Sequence, residues 1–495
     1  MENTMKKVAL GIMASLIAAL VFSSSYTQAK NTDKPNVIVI MTDEHNFRTL
    51  GAYRKQLSKE QALMWGSEVV ETPNIDWLAD NGAIATSFYA SSPVCTPSRG
   101  AFVTGMYPQN NHSVQNNIPL RDNAITFAKV LKDNGYATGY IGKWHLDGKG
   151  KPQWAPKRKF GFDDNRFMYN RGHYKQFKDT SEGPRVAVQD KKGKPSYDVD
   201  GADEKSFSTD YQMNKLIDYI DENKNHPFAM MLSLSDPHGP DSVRSPYDTM
   251  YNHIKFEMPR TSSVNAKDTP NWGTPRPQPK IQRMSQYYGM IKLIDDNIGR
   301  LLTHLKTSDI LDNTIIVFTS DHGDLKSEHN RQNKGVPFEG SAKVPFIVYY
   351  PDKIKPVVIN EAMTSVDFQP TLMGLLGIKG SGNEEGRDAS KLLTKGQVKN
   401  WKDVAFFRQS SSKGKGWLTV VSDRYKLVYN TWGEPWLFDL EQDPDELVNF
   451  YNNPQYSEII RDMAMSLQQY AADYNDPYYD NSHIKTGVEK AIQEI

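Results

Sequence analysis

Four short strings in this sequence place acids, histidines and lysines directly after apolar runs. They are Thr42-Asp43-Glu44-His45, Gly142-Lys143-Trp144-His145, Ser235-Asp236-Pro237-His238-Gly239-Pro240 and Ser320-Asp321-His322-Gly323-Asp324. Any one of them alone reads as an ordinary turn or helix cap. In open α/β sheets, however, ligands bind beyond the carboxyl ends of the strands. Runs sharing one sheet would bring the four tails to one crevice. Asp43, Glu44 and Asp321 would then meet, and buried carboxylates are costly side by side unless a cation compensates them. Oxygen-rich ligation favours a hard ion, Ca²⁺ or, second, Mg²⁺, to which His322 could add one nitrogen. Zinc would recruit more His or Cys.

A fifth string, Ser92-Pro93-Val94-Cys95-Thr96-Pro97-Ser98-Arg99-Gly100, holds the single cysteine of the chain. A lone cysteine in an exported protein is either an inert buried thiol or one that is reactive, modified or intermolecular. Thr96 suits a helix N-cap and Pro97 the first helical position. Cys95 is therefore expected just outside a helix N-terminus, where free N–H groups and the dipole favour anions. Arg99, one turn on, adds a positive charge. Such surroundings stabilise a thiolate and suit a bound oxyanion.

The elements that must position these residues alternate in type. Residues 36–41, 136–141, 228–234, 314–319 and 344–350 are apolar runs suited to strands buried on both faces. Residues 124–134 and 285–306 carry apolar side chains at helical spacing. Strands alternating with helices predict an α/β domain with a layered sheet. Residues 146–209 and 242–279 lack clear periodicity and read as long insertions around the active face, with disorder as the competing account for part of 183–204. Beyond residue 393 the pattern changes to short strands at 417–421, 425–429 and 436–440 and a helix over 456–474, a smaller α+β unit. Lys6 and Lys7, the uncharged run Val8 to Phe22 and Thr27-Gln28-Ala29 read as a secretory signal peptide. The expected organisation is a signal over 1–29, a catalytic domain over 30–393 and a C-terminal subdomain over 394–495. Export then places the protein in the periplasm or outside the cell, and no later segment is apolar enough to span a membrane. Across the 495 residues, 59 Lys+Arg balance 59 Asp+Glu, which argues against non-specific binding to a nucleic-acid backbone.

Cys-Thr-Pro-Ser-Arg matches the C-x-P-S-R signature of the type I sulfatases, and the chain resembles that family over roughly residues 36–467. Thr72-Pro73-Asn74-Ile75-Asp76, Gly142-Lys143-Trp144-His145, Pro237-His238, Ser320-Asp321-His322-Gly323 and Phe438-Asp439-Leu440 followed by Asp443-Pro444 and Glu446 resemble family segments in family order. The resemblance implies an alkaline-phosphatase-like fold, a large mixed, mostly parallel sheet sandwiched by helices. It implies that a maturation enzyme converts Cys95 to formylglycine, whose hydrate attacks sulfur. It implies that Asp43, Glu44, Asp321 and His322 hold one calcium ion that the modified Cys95 also touches. The family commonly has Asp where Glu44 stands, so Glu44 is the weakest of these assignments. Arg99 would stabilise the hydrated aldehyde, Lys143 and Lys334 would grip sulfate, His145 would serve the gem-diol, and His238 would act as general acid at the leaving oxygen.

Three carboxylates, one dication and three basic side chains leave such a pocket at about +2, which concentrates an anionic ester. A sulfated oligosaccharide or polysaccharide is the expected substrate, with phosphodiester or phosphonate hydrolysis on the same scaffold and non-catalytic binding of sulfated glycans as the rivals. Trp154, Phe160, Phe162, Phe167, Tyr169, Tyr174 and Phe177 could stack on sugar rings, or could pack as local core. Lys149, Lys151, Lys157, Arg158, Lys159, Arg166, Arg171 and Lys175 could meet further acidic groups. His45 and Asn46, directly after the metal strand, are candidate sugar contacts.

Overall fold

The central apolar runs pair side by side, and this brings their polar tails together. The computed structural model describes residues 34–263, 272, 283–411 and 413–493. The expected signal peptide and most of the second half of the 242–279 segment lie outside the described residues. From Pro35 onward the described chain packs as one unit.

Its frame is an eight-stranded sheet in the order Val357–Ile359, Ala83–Ala85, Phe346–Tyr349, Thr314–Ser320, Asn36–Asp43, Phe228–Pro237, Ala137–Lys143, Met168–Tyr169. The Asn36–Asp43 strand lies parallel between Thr314–Ser320 and Phe228–Pro237, and Ala137–Lys143 is parallel to the latter. Thr42 faces Ser320, and Asp43 faces Pro237, so the tails leave the same sheet edge at nearly the same height. Phe346–Tyr349 runs antiparallel to both its neighbours, which makes the sheet mixed.

Period-two alternation sends Val37, Val39 and Met41 to one face of the sheet and Ile38 and Ile40 to the other. The first face is covered by Phe102 and Val103 of helix Cys95–Thr104, by Phe127 and Leu131 of Phe127–Asp133, and by Leu372 of Phe368–Leu376. The second is covered by Leu216 and Ile220 of Ser208–Asn223 and by Ile294, Ile298 and Leu301 of Met284–Thr307. Each such side chain, fully buried, contributes about 1.5–3 kcal/mol.

The C-terminal strands Ala405–Arg408, Trp417–Val421, Tyr425–Asn430 and Trp436–Asp439 form an antiparallel sheet of their own. One face carries Leu418, Leu427 and Leu437 against Ile460 and Leu467 of helix Ser457–Tyr474. The other places Trp417, Val428 and Phe438 against Tyr89 and Phe338 of the larger part. The buried Lys426 ammonium joins the two, 2.9 Å from Glu339 and also paired with Glu446.

The insertion over 146–209 is ordered and largely self-packed. Met168–Tyr169 extends the main sheet, and Phe177–Thr180 pairs with Gly183–Val186. The aromatic residues proposed as sugar platforms are corrected here. Tyr169, Tyr174 and Phe177 are buried in a small core with Trp154 and Phe167 against it, and Phe162 and Phe160 join the main core. Edge-to-face contacts such as Trp154 on Phe177, 5.3 Å between centroids, hold this core together. Of the basic residues, Lys175 is fully buried on Asp236, Arg158 pairs with Asp122 and Asp147, and Arg166 with Asp164 and Glu222.

Candidate active site

Cys95 opens helix Cys95–Thr104 with Val94 at the N-cap, so the sulfur sits on the first helical turn rather than before it. Thr96 does not cap; its hydroxyl donates to the His145 carbonyl at 2.9 Å and ties the helix to a second tail. Arg99 follows one turn later on the buried side. Its guanidinium donates to Asp321 Oδ2 at 2.8 Å, Asp43 Oδ2 at 3.0 Å, Ser233 Oγ at 2.6 Å and the Lys143 carbonyl at 2.8 Å. One side chain thereby links three of the four strand ends.

With their outer oxygens on Arg99, the two aspartates turn their inner oxygens to one point. Asp43 Oδ1 lies 3.7 Å and Asp321 Oδ1 3.5 Å from His322 Nε2. Cys95 Sγ is 3.2 Å from the same nitrogen and 3.8 Å from Asp43 Oδ1. Donor atoms of Asp43, Cys95, Asp321 and His322 all fall within 4.8 Å of one another, and all four residues are buried. Two converging carboxylate oxygens and an imidazole, in a dry site, are a donor set that fits one hard divalent ion.

Glu44 departs from the expected ligand set. Its backbone takes the left-handed region at φ 64°, and its N–H donates to Asp321 Oδ1 at 3.2 Å. Its carboxylate instead lies 3.0 Å from both Lys334 Nζ and His238 Nε2. The turn at Glu44 sends the side chain away from the four-donor cluster and toward His238 and Lys334.

The charges around the sulfur are strongly polarised. Burial would raise the Asp43 carboxyl, but Lys143 and Arg99 hold it well below the usual range. Asp321 goes the other way, raised by burial and by Asp43 beside it. Burial lifts the Glu44 carboxyl to about 7 against the pull of Lys334. Burial and Asp43 oppose ionisation of Cys95, yet Lys143, Lys334 and His322 bring its thiol well below the ordinary value. Burial opposes a charged His322, but Asp321 outweighs it and raises that imidazole to about 9. Burial, aided by Lys334, holds His238 down at about 3, and burial also lowers His145.

Lys143 is fully buried, paired with Asp43 and 3.8 Å from the sulfur; Lys334 lies 2.8 Å from His238 Nε2. His145 has its backbone at φ 58°, which turns its ring back toward Cys95. The site is thus a buried thiol flanked by Arg99, Lys143 and Lys334, beside a pair of buried aspartates whose oxygens converge with it. Anion transfer from an ester is the chemistry such a pocket can do.

A family model described as Sulfatase matches residues 35–378. The chain belongs to the sulfatase family. A second model, N-sulphoglucosamine sulphohydrolase, C-terminal, matches residues 327–473 of this sulfatase. The ulvan-active sulfatase of Formosa agariphila is 26% identical over 96% of this chain and 88% of its own. The N-acetylglucosamine-6-O-sulfatase of Bacteroides thetaiotaomicron is 25% identical over 96% and 93% respectively. A solved structure in complex with its substrate D-glucosamine-2-N,6-O-disulfate superposes with TM-score 0.73 at 22% identity, covering 91% of this chain and 99% of that one. The phosphonate monoester hydrolase of Agrobacterium radiobacter shares the fold at TM-score 0.67 and 21% identity, over 89% of this chain and 96% of its own. The fold is the alkaline-phosphatase-like one, and the protein is a sulfuric ester hydrolase.

The structure brings Cys95, Arg99, Lys143, His145, His238, Asp321, His322 and Lys334 to one cup around Asp43, as expected from the sequence. It corrects His45 and Asn46 as sugar contacts. His45 is fully buried, bonded to Thr49 Oγ1 at 3.0 Å and lying edge-on to Phe318. Asn46 is also fully buried, capping the 3-10 turn Phe47–Thr49 and donating to the Asp324 carbonyl at 2.8 Å. Sequence reasoning passed over His173, whose Nε2 lies 2.8 Å from Lys143 Nζ. No local signal marks it: Arg171-Gly172-His173-Tyr174 lies in an aperiodic stretch, and its partners are distant in sequence.

Proposed function

We propose that this sulfatase removes sulfate monoesters from sulfated glycans after export, using a formylglycine made from Cys95 and one calcium ion. The observation that carries the reading is the convergence of the Cys95 sulfur with Asp43, Asp321 and His322, with Lys143 3.8 Å away on the other side. Asp43, Asp321 and His322 would hold the ion, which when bound supplies a Lewis acid beside the nucleophile. A hydrated aldehyde at position 95 would offer two hydroxyls on one carbon, a nucleophile and a second group able to release the sulfate; neither cysteine nor serine offers the second.

The remaining work falls to the chain's own residues. Arg99 neutralises the outer carboxylate oxygens and keeps the cluster from spreading. Lys143 and Lys334 hold the sulfate oxygens in line with position 95 and stabilise the charge that builds on them. His145, held neutral by burial, accepts a proton from the hydroxyl at position 95. An anionic ester between the lysines raises His238 from its low resting value, so that its Nε2 can carry a proton to the leaving oxygen. Support for a glycan comes from the relatives named for sulfated sugars.

The test is a panel of defined sulfated mono- and disaccharides assayed beside aryl sulfate, aryl phosphate and a phosphonate monoester, with peptide mass spectrometry of the Cys95 segment. Turnover of a sulfated sugar, little turnover of the phosphorus esters and an aldehyde mass at position 95 are expected. Preference for the phosphonate would replace the substrate reading. A plain thiol in an active sample would remove the formylglycine.

A further inference from the structure

His173 belongs to no established part of the site, yet it touches two side chains given roles above. Its Nε2 lies 2.8 Å from Lys143 Nζ. Its ring lies flat on His238, with centroids 3.6 Å apart and planes 9° from parallel. An ammonium has only donors, so Nε2 of His173 accepts and its proton resides on Nδ1. The three Lys143 donors are then all directed: to Asp43, to His173 and toward the Cys95 sulfur. Asp43, His173 and His238 also present donor atoms within 4.8 Å of one another, an arrangement that could suit a metal. The Lys143 ammonium, bonded to two of those three residues, already supplies the positive charge there.

The placement is built rather than incidental. Two residues on, the fully buried Lys175 donates to Asp236 Oδ1 at 2.6 Å, and Thr209 donates to the other oxygen at 2.6 Å. Asp236 lies on the strand Phe228–Pro237, which His238 directly follows. The loop carrying His173 is therefore anchored to the element carrying His238. That ring is fixed at its edge by Nδ1 on the Gly239 carbonyl at 2.8 Å and on its face by His173.

We propose that His173 is a positioning residue serving both ends of the transferring group. Through Nε2 it aims the Lys143 ammonium at sulfate, and through its face it aims the His238 imidazole at the leaving oxygen. This rests on the roles assigned to Lys143 and His238 under the proposed function. Because the two contacts use different parts of the ring, they can be removed separately.

The experiment uses matured enzyme and a series of aryl sulfates from 4-nitrophenyl to 4-methoxyphenyl, with inorganic sulfate as competitive inhibitor. His173→Phe keeps the face and loses the acceptor; its inhibition constant for sulfate is expected to rise about 10-fold with an unchanged leaving-group slope. His173→Gln keeps an acceptor near the Nε2 position and loses the face; the slope is expected to steepen, the poorest leaving group losing about 10-fold more than the best. Even losses across the series with unchanged sulfate inhibition, in variants that melt like the parent, overturn the proposal. Lys143→Ala and His238→Ala are run alongside. If they do not show the sulfate and leaving-group effects respectively, the roles proposed for those residues fail instead.

Discussion

A single guanidinium compensates two buried carboxylates at once. Arg99 and the carboxylates of Asp43 and Asp321 are all buried, and Arg99 bonds both while also holding Ser233 and the Lys143 carbonyl. Desolvation of such groups is offset only when their hydrogen-bonding capacity is filled, and here four partners do so. Cys95 makes no comparable contribution to this network. Cys95→Ala is therefore expected to abolish turnover, by at least about 10³-fold, while melting within a few degrees of the parent; an active variant would remove position 95 as the nucleophile. At this scale the sequence was most informative where a reactive residue directly ended an apolar run, as with Asp43, Lys143 and Asp321. Adjacency misled at His45 and Asn46. The left-handed turn at Glu44 redirects the chain, and the next two side chains go inward.

The helix Cys95–Thr104 has every residue buried, which is unusual for a segment bearing Cys, Thr, Ser and Arg. Gly100 permits it: a Cβ there would lie 1.9 Å from Ser113 Oγ. Gly100→Ala should cost about 1–3 kcal/mol of stability, as overpacking does, and should lower activity by moving Cys95 and Arg99; an unchanged denaturation midpoint would contradict the close approach. In the C-terminal hairpin, burial first and then the neighbouring Asp403 raise the Asp423 carboxyl to about 6. The folded protein thus holds a proton there that the unfolded chain releases near pH 4. This favourable contribution is complete below about pH 4 and is lost as pH rises through about 6. Asp423→Asn should melt higher than the parent at pH 7.5, with the advantage gone at pH 4. No difference at either pH would contradict the carboxylate pairing. Helix and strand positions were largely legible from periodicity, because the central strands are buried on both faces. The order of the strands was not, since pairing between residues hundreds of positions apart leaves no mark on either segment.

Taken whole, the molecule gathers its site charges at the ends of parallel strands and packs a second sheet against the same large part. Lys426 from that sheet reaches Glu339, on the short helix Glu339–Ala342, only a few residues past Lys334. An ion bound by Asp43, Asp321 and His322 would hold elements far apart in the chain together and so favour the folded state. At a free concentration roughly a hundred times Kd, this amounts to about 2.7 kcal/mol. Prolonged incubation with a strong chelator is accordingly expected to lower activity and melting temperature together, both returning when calcium is restored. Indifference of both would remove the ion from the site. The change of pattern past residue 393 pointed to a smaller C-terminal unit, but the division of labour between the two sheets could not be read from it. Each face of the smaller sheet carries an apolar cluster, one against the larger part and one against its own helices.

The burial of helix Cys95–Thr104 also sets an order of events. Only 2% of Cys95 is accessible once the chain has closed, and every other residue of its helix is buried with it. The enzyme proposed to modify Cys95 would find more purchase on residues 92–104 before they pack than after, so that modification would come ahead of folding.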